Sequence, residues 1–171
     1  LLQYEAGEYK AAISAYDKAI LSNGNYAYAY NDRGSAKRAL KDYAGAVADY
    51  EKAISIDGNQ AFIYNNLGSA YRENKNYPKA AEAYSKALQV NDKYLIALVN
   101  RGASRLEAGN TAAAKTDFDE AIKKDPNSSS AFNGLASVFI KQKEYKKAKD
   151  MADKAIQINP KNGPAYYNRG I

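Results

Sequence analysis

AFIYNNLGSAYRENKNYPKAAEAYSKALQVNDKY, residues 61–94, decides the fold. Leu67, Gly68 and Tyr71 fall at helical spacing before the pair Lys75-Asn76, and Ala80, Tyr84 and Ala87 do so after it. The stretch therefore predicts two short amphipathic helices joined by a turn at Lys75-Asn76. Displacing the chain by 34 residues lays small residues on small residues again. Gly68 aligns with Gly34, Gly102 and Gly170, with Ala136 the departure. Ala80 aligns with Ala12, Ala46, Ala114 and Ala148, and Ala87 with Ala19, Ala53, Ala121 and Ala155. Tyr84 aligns with Tyr16, Tyr50 and Phe118, while Ala152 stands apart. Self-similarity at a fixed period of this length is the mark of a stack of repeated units.

The period and these columns resemble the tetratricopeptide repeat family. The residues that carry the likeness are Tyr64-x-x-Leu67-Gly68-x-x-Tyr71 followed by Ala80-x-x-x-Tyr84-x-x-Ala87. Pro126 and Pro160 stand where the family ends its repeats, and Gly24, Gly58 and Asp92 depart from it. The family's frequent Trp is Tyr30, Tyr64, Leu98, Phe132 and Tyr166 here. Pentatricopeptide and Sel1-like repeats have longer usual periods. The resemblance covers the whole chain and implies an all-α fold, a right-handed α-solenoid superhelix of antiparallel helix pairs.

On this frame residues 1–171 form a single array. Residues 1–26 are a partial repeat, 27–60, 61–94, 95–128 and 129–162 are full repeats, and 163–171 begin a further one. Leu1–Ala6 reads as the tail of a first helix, Gly7-Glu8 as its turn, and 9–21 as the partner helix. The other second helices are expected at about 44–56, 78–90, 112–124 and 146–158, with ends uncertain by about two to four residues. All four prolines sit at helix edges. Asp42, Asn76 and Asn110 stand where N-caps belong.

Composition narrows the function. The chain has no Cys and no His. That removes disulfides, thiol catalysis and the usual zinc sites. Its apolar runs are too short to span a membrane. The formal charge of +6 is uneven, with seven Lys against Glu144, Asp150 and Asp153 in repeat 129–162. A solvated helix face accounts for that excess better than a nucleic-acid surface. Ser35, Ser69 and Ser137 recur at one repeat position, which is periodicity and not a single site. Asp117, Asp119 and Glu120 lack the glycine and spacing of a calcium loop. Neither catalytic residue, nor metal ligand, nor cofactor motif is expected.

Small residues let paired helices approach, so Gly34, Gly68, Gly102, Ala46, Ala80, Ala114, Ala53, Ala87 and Ala121 are expected to be structural, with Gly68 facing Ala80. A second rhythm has a period of two repeats. Arg33, Leu67, Arg101 and Leu135 precede the glycine column, and sixteen residues later stand Asp49, Ala83, Asp117 and Met151. Arg accompanies Asp, and Leu accompanies Ala or Met, so the columns are expected to touch, giving structural pairs Arg33–Asp49 and Arg101–Asp117. Arg169 has no such Asp after it.

In the family, first helices line a concave groove. The resemblance carries that role to Tyr28, Asn31, Asp32, Ser35 and Arg38; to Phe62, Asn65, Asn66, Ser69 and Arg72; to Ile96, Val99, Asn100, Ala103 and Leu106; and to Ser130, Asn133, Ser137, Ile140 and Lys141. Amides offer a donor and an acceptor to peptide backbone. Asn66 and Asn100 are the leading candidates for such a ladder, with bridging between helices as the alternative. The clamp that chaperone-binding members use for a C-terminal carboxylate opens with a Lys, where this chain has Asn31, Asn65, Val99 or Asn133. The expected function is a protein-interaction module that binds a peptide or helix of a partner. A scaffold that self-associates weakly, head to tail, through open ends at Leu1, Leu2, Tyr4, Tyr166 and Tyr167 is the alternative. Nucleic-acid binding through the Lys-rich repeat comes third.

Overall fold

The computed structural model describes the backbone of residues 2–171 and the side chains of residues 6–171. Among these residues it is all-helical: α1 (Leu2–Ser22), α2 (Ala27–Ala39), α3 (Tyr43–Ile56), α4 (Ala61–Glu73), α5 (Tyr77–Val90), α6 (Leu95–Glu107), α7 (Thr111–Lys124), α8 (Ser129–Lys141), α9 (Tyr145–Ile158) and α10 (Gly163–Arg169). The second helices of the full repeats start one residue before the sequence expectation and end on it. No described helix is long and apolar enough to cross a membrane. The chain divides into two compact units, Leu1–Asn91 and Asp92–Ile171.

One turn recurs within the repeats. Lys41, Lys75, Gly109 and Lys143 take φ of 64°, 61°, 83° and 61°. This left-handed residue lets the next N–H reach back to the helix just ended, as in Asn76 N to Tyr71 O at 2.8 Å. Asp42, Asn76 and Asn110 then cap the second helices, accepting from Gly45, Lys79 and Ala113 N–H. At repeat ends a second device appears: Asp57, Asp125 and Asn159 each accept the N–H two residues on at 3.0 Å. Those side chains hold the chain extended before the next first helix.

Gly7 lies in the same column as Lys41 and Lys75, yet α1 runs unbroken through Gly7-Glu8. The expected turn is absent. Continuing the helix keeps the backbone hydrogen bonds that a turn at Gly7 would give up. The side chains of Leu1, Leu2 and Tyr4 lie outside the described residues.

In the first unit the core gathers Ala46, Tyr50, Ala53, Ile63, Leu67, Ala70 and Ala83. Tyr50 and Tyr84 are 0 % exposed. The glycines make room for these rings. A Cβ on Gly68 would lie 2.7 Å from Tyr84 Cε1, and one on Gly34 3.0 Å from Tyr50 Cε1. Gly68 thus faces the Tyr84 ring most closely, because an aromatic plate inserted between the helices needs a side-chain-free wall. The equivalent Gly34 meets both Tyr50 and the Ala46 carbonyl, the latter at 3.2 Å from its Cβ position. In the second unit Phe118 takes the same place, and a Cβ on Gly102 would lie 2.9 Å from its Cε1. Leu135, Val138, Ala114 and Phe118 form the core there.

Candidate functional site

The first helices place their candidate residues in two layers. On the inner layer Tyr50 Oη lies 3.1 Å from Ser35 Oγ, and Tyr84 Oη 3.1 Å from Ser69 Oγ. Where the ring is Phe118, with no hydroxyl, the serine position is Ala103. Ser35 and Ser69 are therefore committed to anchoring the buried tyrosines, and each also donates to the carbonyl four residues back. Burial raises the pKa of both tyrosines and keeps the hydroxyls protonated.

The amides divide in the same way. Asn31 is only 5 % exposed, and its Oδ1 accepts Asn66 Nδ2 at 2.9 Å. Asn66 thus bridges α2 and α4. In the second unit the same offset joins Asn168 Nδ2 to Asn133 Oδ1 at 2.8 Å, and Asn168 Nδ2 also reaches Ser137 Oγ at 2.9 Å. Asn65 is buried at 8 % exposure, whereas Asn100 is half-buried. Gly134 interrupts the amide column because the Phe118 ring fills that space, 2.3 Å from where its Cβ would be. Val99, expected in the groove, packs with Ala103 and Leu106 against the Phe118 core.

The outer layer of the first unit is more open. Tyr28, 47 % exposed, stacks on Phe62 with centroids 5.8 Å apart, and Tyr26 lies 6.3 Å from Tyr28. Toward the other end of these helices stand Arg38 and Arg72, both half-buried. Arg38 Nη1 lies 3.7 Å from Glu73 Oε1. In the second unit Ile96 is 58 % exposed, and Ser130 and Lys141 are exposed too, so its face is sparser.

On the opposite side of the first helices the two-repeat rhythm is a contact. Arg33 grips Asp49 through Nε at 2.9 Å and Nη2 at 2.5 Å, and also reaches Asp17 at 2.7 Å. The Asp49 carboxylate raises the pKa of Arg33 above its ordinary value. Arg101 holds Asp117 at 3.1 and 2.7 Å. A third column joins them that sequence reading missed. Lys37 and Arg105 bind the same aspartates at 2.8 Å. In the alternate repeats Tyr71 and Phe139 take that position and pack with Leu67 and Leu135. The signal was present as a cation–aromatic alternation one helical turn after the Arg/Leu column. Arg169 also has a partner behind it, Asp153, at 3.7 Å.

The Lys-rich repeat spends much of its charge internally. Lys147 pairs with Glu144, and Lys149 lies 2.8 Å from Asp153. Lys154 covers the Phe132 ring at 5.6 Å. Among the described residues no cluster of carboxylates could hold a metal ion.

The family model described as "Tetratricopeptide repeat" matches residues 20–93, and a second model of the same description matches 105–168. No curated protein matches in sequence. Among solved structures the chain is similar to YrrB, titled a TPR protein with an unusual peptide-binding site, at 24% identity and TM-score 0.76, covering 99% of this chain and 88% of that one. MamA is similar at 21% identity and TM-score 0.79, with 91% of both chains covered. Pseudomonas aeruginosa pilF is similar at 24% identity and TM-score 0.80, covering 98% of this chain and 75% of that one. With its period, its glycine–aromatic columns and these matches, the chain belongs to the tetratricopeptide repeat family, whose repeats serve protein–protein interaction.

Proposed function

We propose that this protein is a non-catalytic interaction module that binds a peptide or helix of a partner on the face of its first helices. The observation that carries this reading is the pair of exposed rings Tyr26 and Tyr28, with Tyr28 stacked on the half-buried Phe62 that roots it to the core. Two tyrosine rings left in solvent beside amides, hydroxyls and arginines mark a contact surface. The likeness to YrrB, described as having a peptide-binding site, agrees with it. The contact residues of the first unit are Tyr28, Phe62 and Arg38; taken by itself, the second unit offers Ile96 and Asn100 at the corresponding positions. Asn66, Ser35 and Ser69 support them from beneath. Chaperone tails that need a carboxylate clamp are not the partners, because the clamp's leading Lys is missing.

Display of random peptides on the immobilised protein tests the reading. Selected peptides should lose binding to a Tyr28→Ala/Phe62→Ala variant and keep it with changes on the opposite side such as Lys52→Ala. Equal loss on both sides, or no enrichment, rejects the groove.

A second reading is self-association. Tyr16 stays half-buried where Tyr50 and Tyr84 are fully buried, and Gly170 has backbone oxygens and not a ring as its nearest neighbours. Tyr16 of one copy on Gly170 of another would reproduce the glycine–ring contact. Sedimentation over a wide concentration range tests it, and a strict monomer rejects it.

A further inference from the structure

Resting on the groove reading, the first unit also carries information about which partner fits. Its first-helix face is polarised from end to end. Tyr28 and Phe62 stand near the starts of α2 and α4, and Arg38 and Arg72 stand ten residues later. At a rise of ~1.5 Å per residue the two ends lie ~15 Å apart. Tyr28, Ser35 and Arg38 fall within one arc of the helix at 100° per residue, so the ends share a face.

The arginine end already holds a carboxylate. Glu73 reaches Arg38 at 3.7 Å, beyond ordinary hydrogen-bond length, with its side chain 44 % exposed. Such a loose, solvated pair contributes little to folding. It is a site that an incoming carboxylate with better geometry can take. Asp32 is exposed on α2 nearer the aromatic end, so the acidic charge there is unfavourable for a ligand carboxylate.

We propose that this face recognises an extended segment of a partner protein bearing an aromatic or large apolar residue and, four to five positions away, an Asp or Glu. The spacing follows from ~15 Å at ~3.3 Å per residue of extended chain. The ring packs on the exposed Tyr28 above Phe62, and the acid displaces Glu73 from Arg38. Glu73 is the resident competitor for that position.

Fluorescein-labelled peptides with one Phe and one Glu in a Ser/Gln background, separated by two to nine positions, are the probe. Anisotropy should show tightest binding at a separation of four or five, and replacing the Glu by Gln should cost about tenfold. Arg38→Gln should abolish the preference for Glu, with the melting temperature showing that the variant folds. Glu73→Gln should tighten the Glu peptide several-fold at low salt and leave the Gln peptide unchanged. Equal binding of Glu and Gln peptides, no effect of Glu73→Gln, or no binding in the series overturns the proposal. If display selects groove ligands that lack an acid, this inference fails and the groove stands. If display also yields nothing, both fail.

Discussion

Replacing Asp117 by Ala removes the acceptor for two arginines at once. The carboxylate is 1 % exposed and receives Arg101 and Arg105 through bonds of 2.7 to 3.1 Å. Breaking a buried ion pair costs ~3–5 kcal/mol, because the surviving charge is left uncompensated. Here the guanidinium groups keep 17 % and 29 % side-chain exposure, so both can turn partly to water. That favours the lower end, about 3 kcal/mol, which in a chain of this size lowers the melting temperature by ~6–12 °C. The alternate repeats supply the matching control. Leu135, Phe139 and Met151 occupy the positions of Arg101, Arg105 and Asp117 with no ionic group at all. The triple variant Arg101→Leu/Arg105→Phe/Asp117→Met should recover most of the loss, since a well-packed apolar set of similar volume often equals a buried ion network. Thermal melting and urea titration read both variants. A shift below about 1 °C for Asp117→Ala would show that the network is solvated and worth little. A triple variant no better than the single one would refute the equivalence of the two repeat types.

Above pH 10.0, the ordinary tyrosine value, the protein should lose stability. Burial holds Tyr50 and Tyr84 higher in the folded state, so the unfolded chain releases its protons first. Their contribution is complete below that value and shrinks as pH rises toward the folded pKa; urea midpoints across this range measure it. Tyr50→Phe/Tyr84→Phe with Ser35→Ala/Ser69→Ala should flatten the dependence, and an unchanged alkaline slope would remove these rings as its source. Ser104 is 0 % exposed with no partner for its hydroxyl, so Ser104→Ala should raise stability by ~1 kcal/mol in a urea titration, and a loss would show a hidden acceptor. Gly68→Ala and Gly7→Ala should have opposite signs. The first drives a methyl into Tyr84 at 2.7 Å, and overpacking of ~1–3 kcal/mol outweighs a helix gain of ~1 kcal/mol. The second meets nothing within 4 Å and gains up to ~1 kcal/mol of helix stability, read by circular dichroism.

Helices, turns and the small-residue columns were legible in the sequence because each depends on local chemistry repeated along the chain. A left-handed turn residue, an Asx cap and an apolar stripe act within one helix hairpin, so a period of 34 exposes them. Arg33 with Asp49 was legible for a related reason, since alternation in two columns at once betrays contact. What the packing decided was the choice among partners that one side chain could equally take. Asn66 can offer its amide to a peptide or to Asn31, and only the approach of α4 to α2 brings its Nδ2 to Asn31 Oδ1. Gly68 can face a methyl or a ring, and the Tyr84 plate claims the space. Gly7 carries the same turn chemistry as Gly109, yet α1 stays helical through it and keeps the backbone hydrogen bonds a turn would break. Sequence columns list what each position is able to do; burial against a neighbouring helix, by removing water as the competing partner, selects which of those bonds is made.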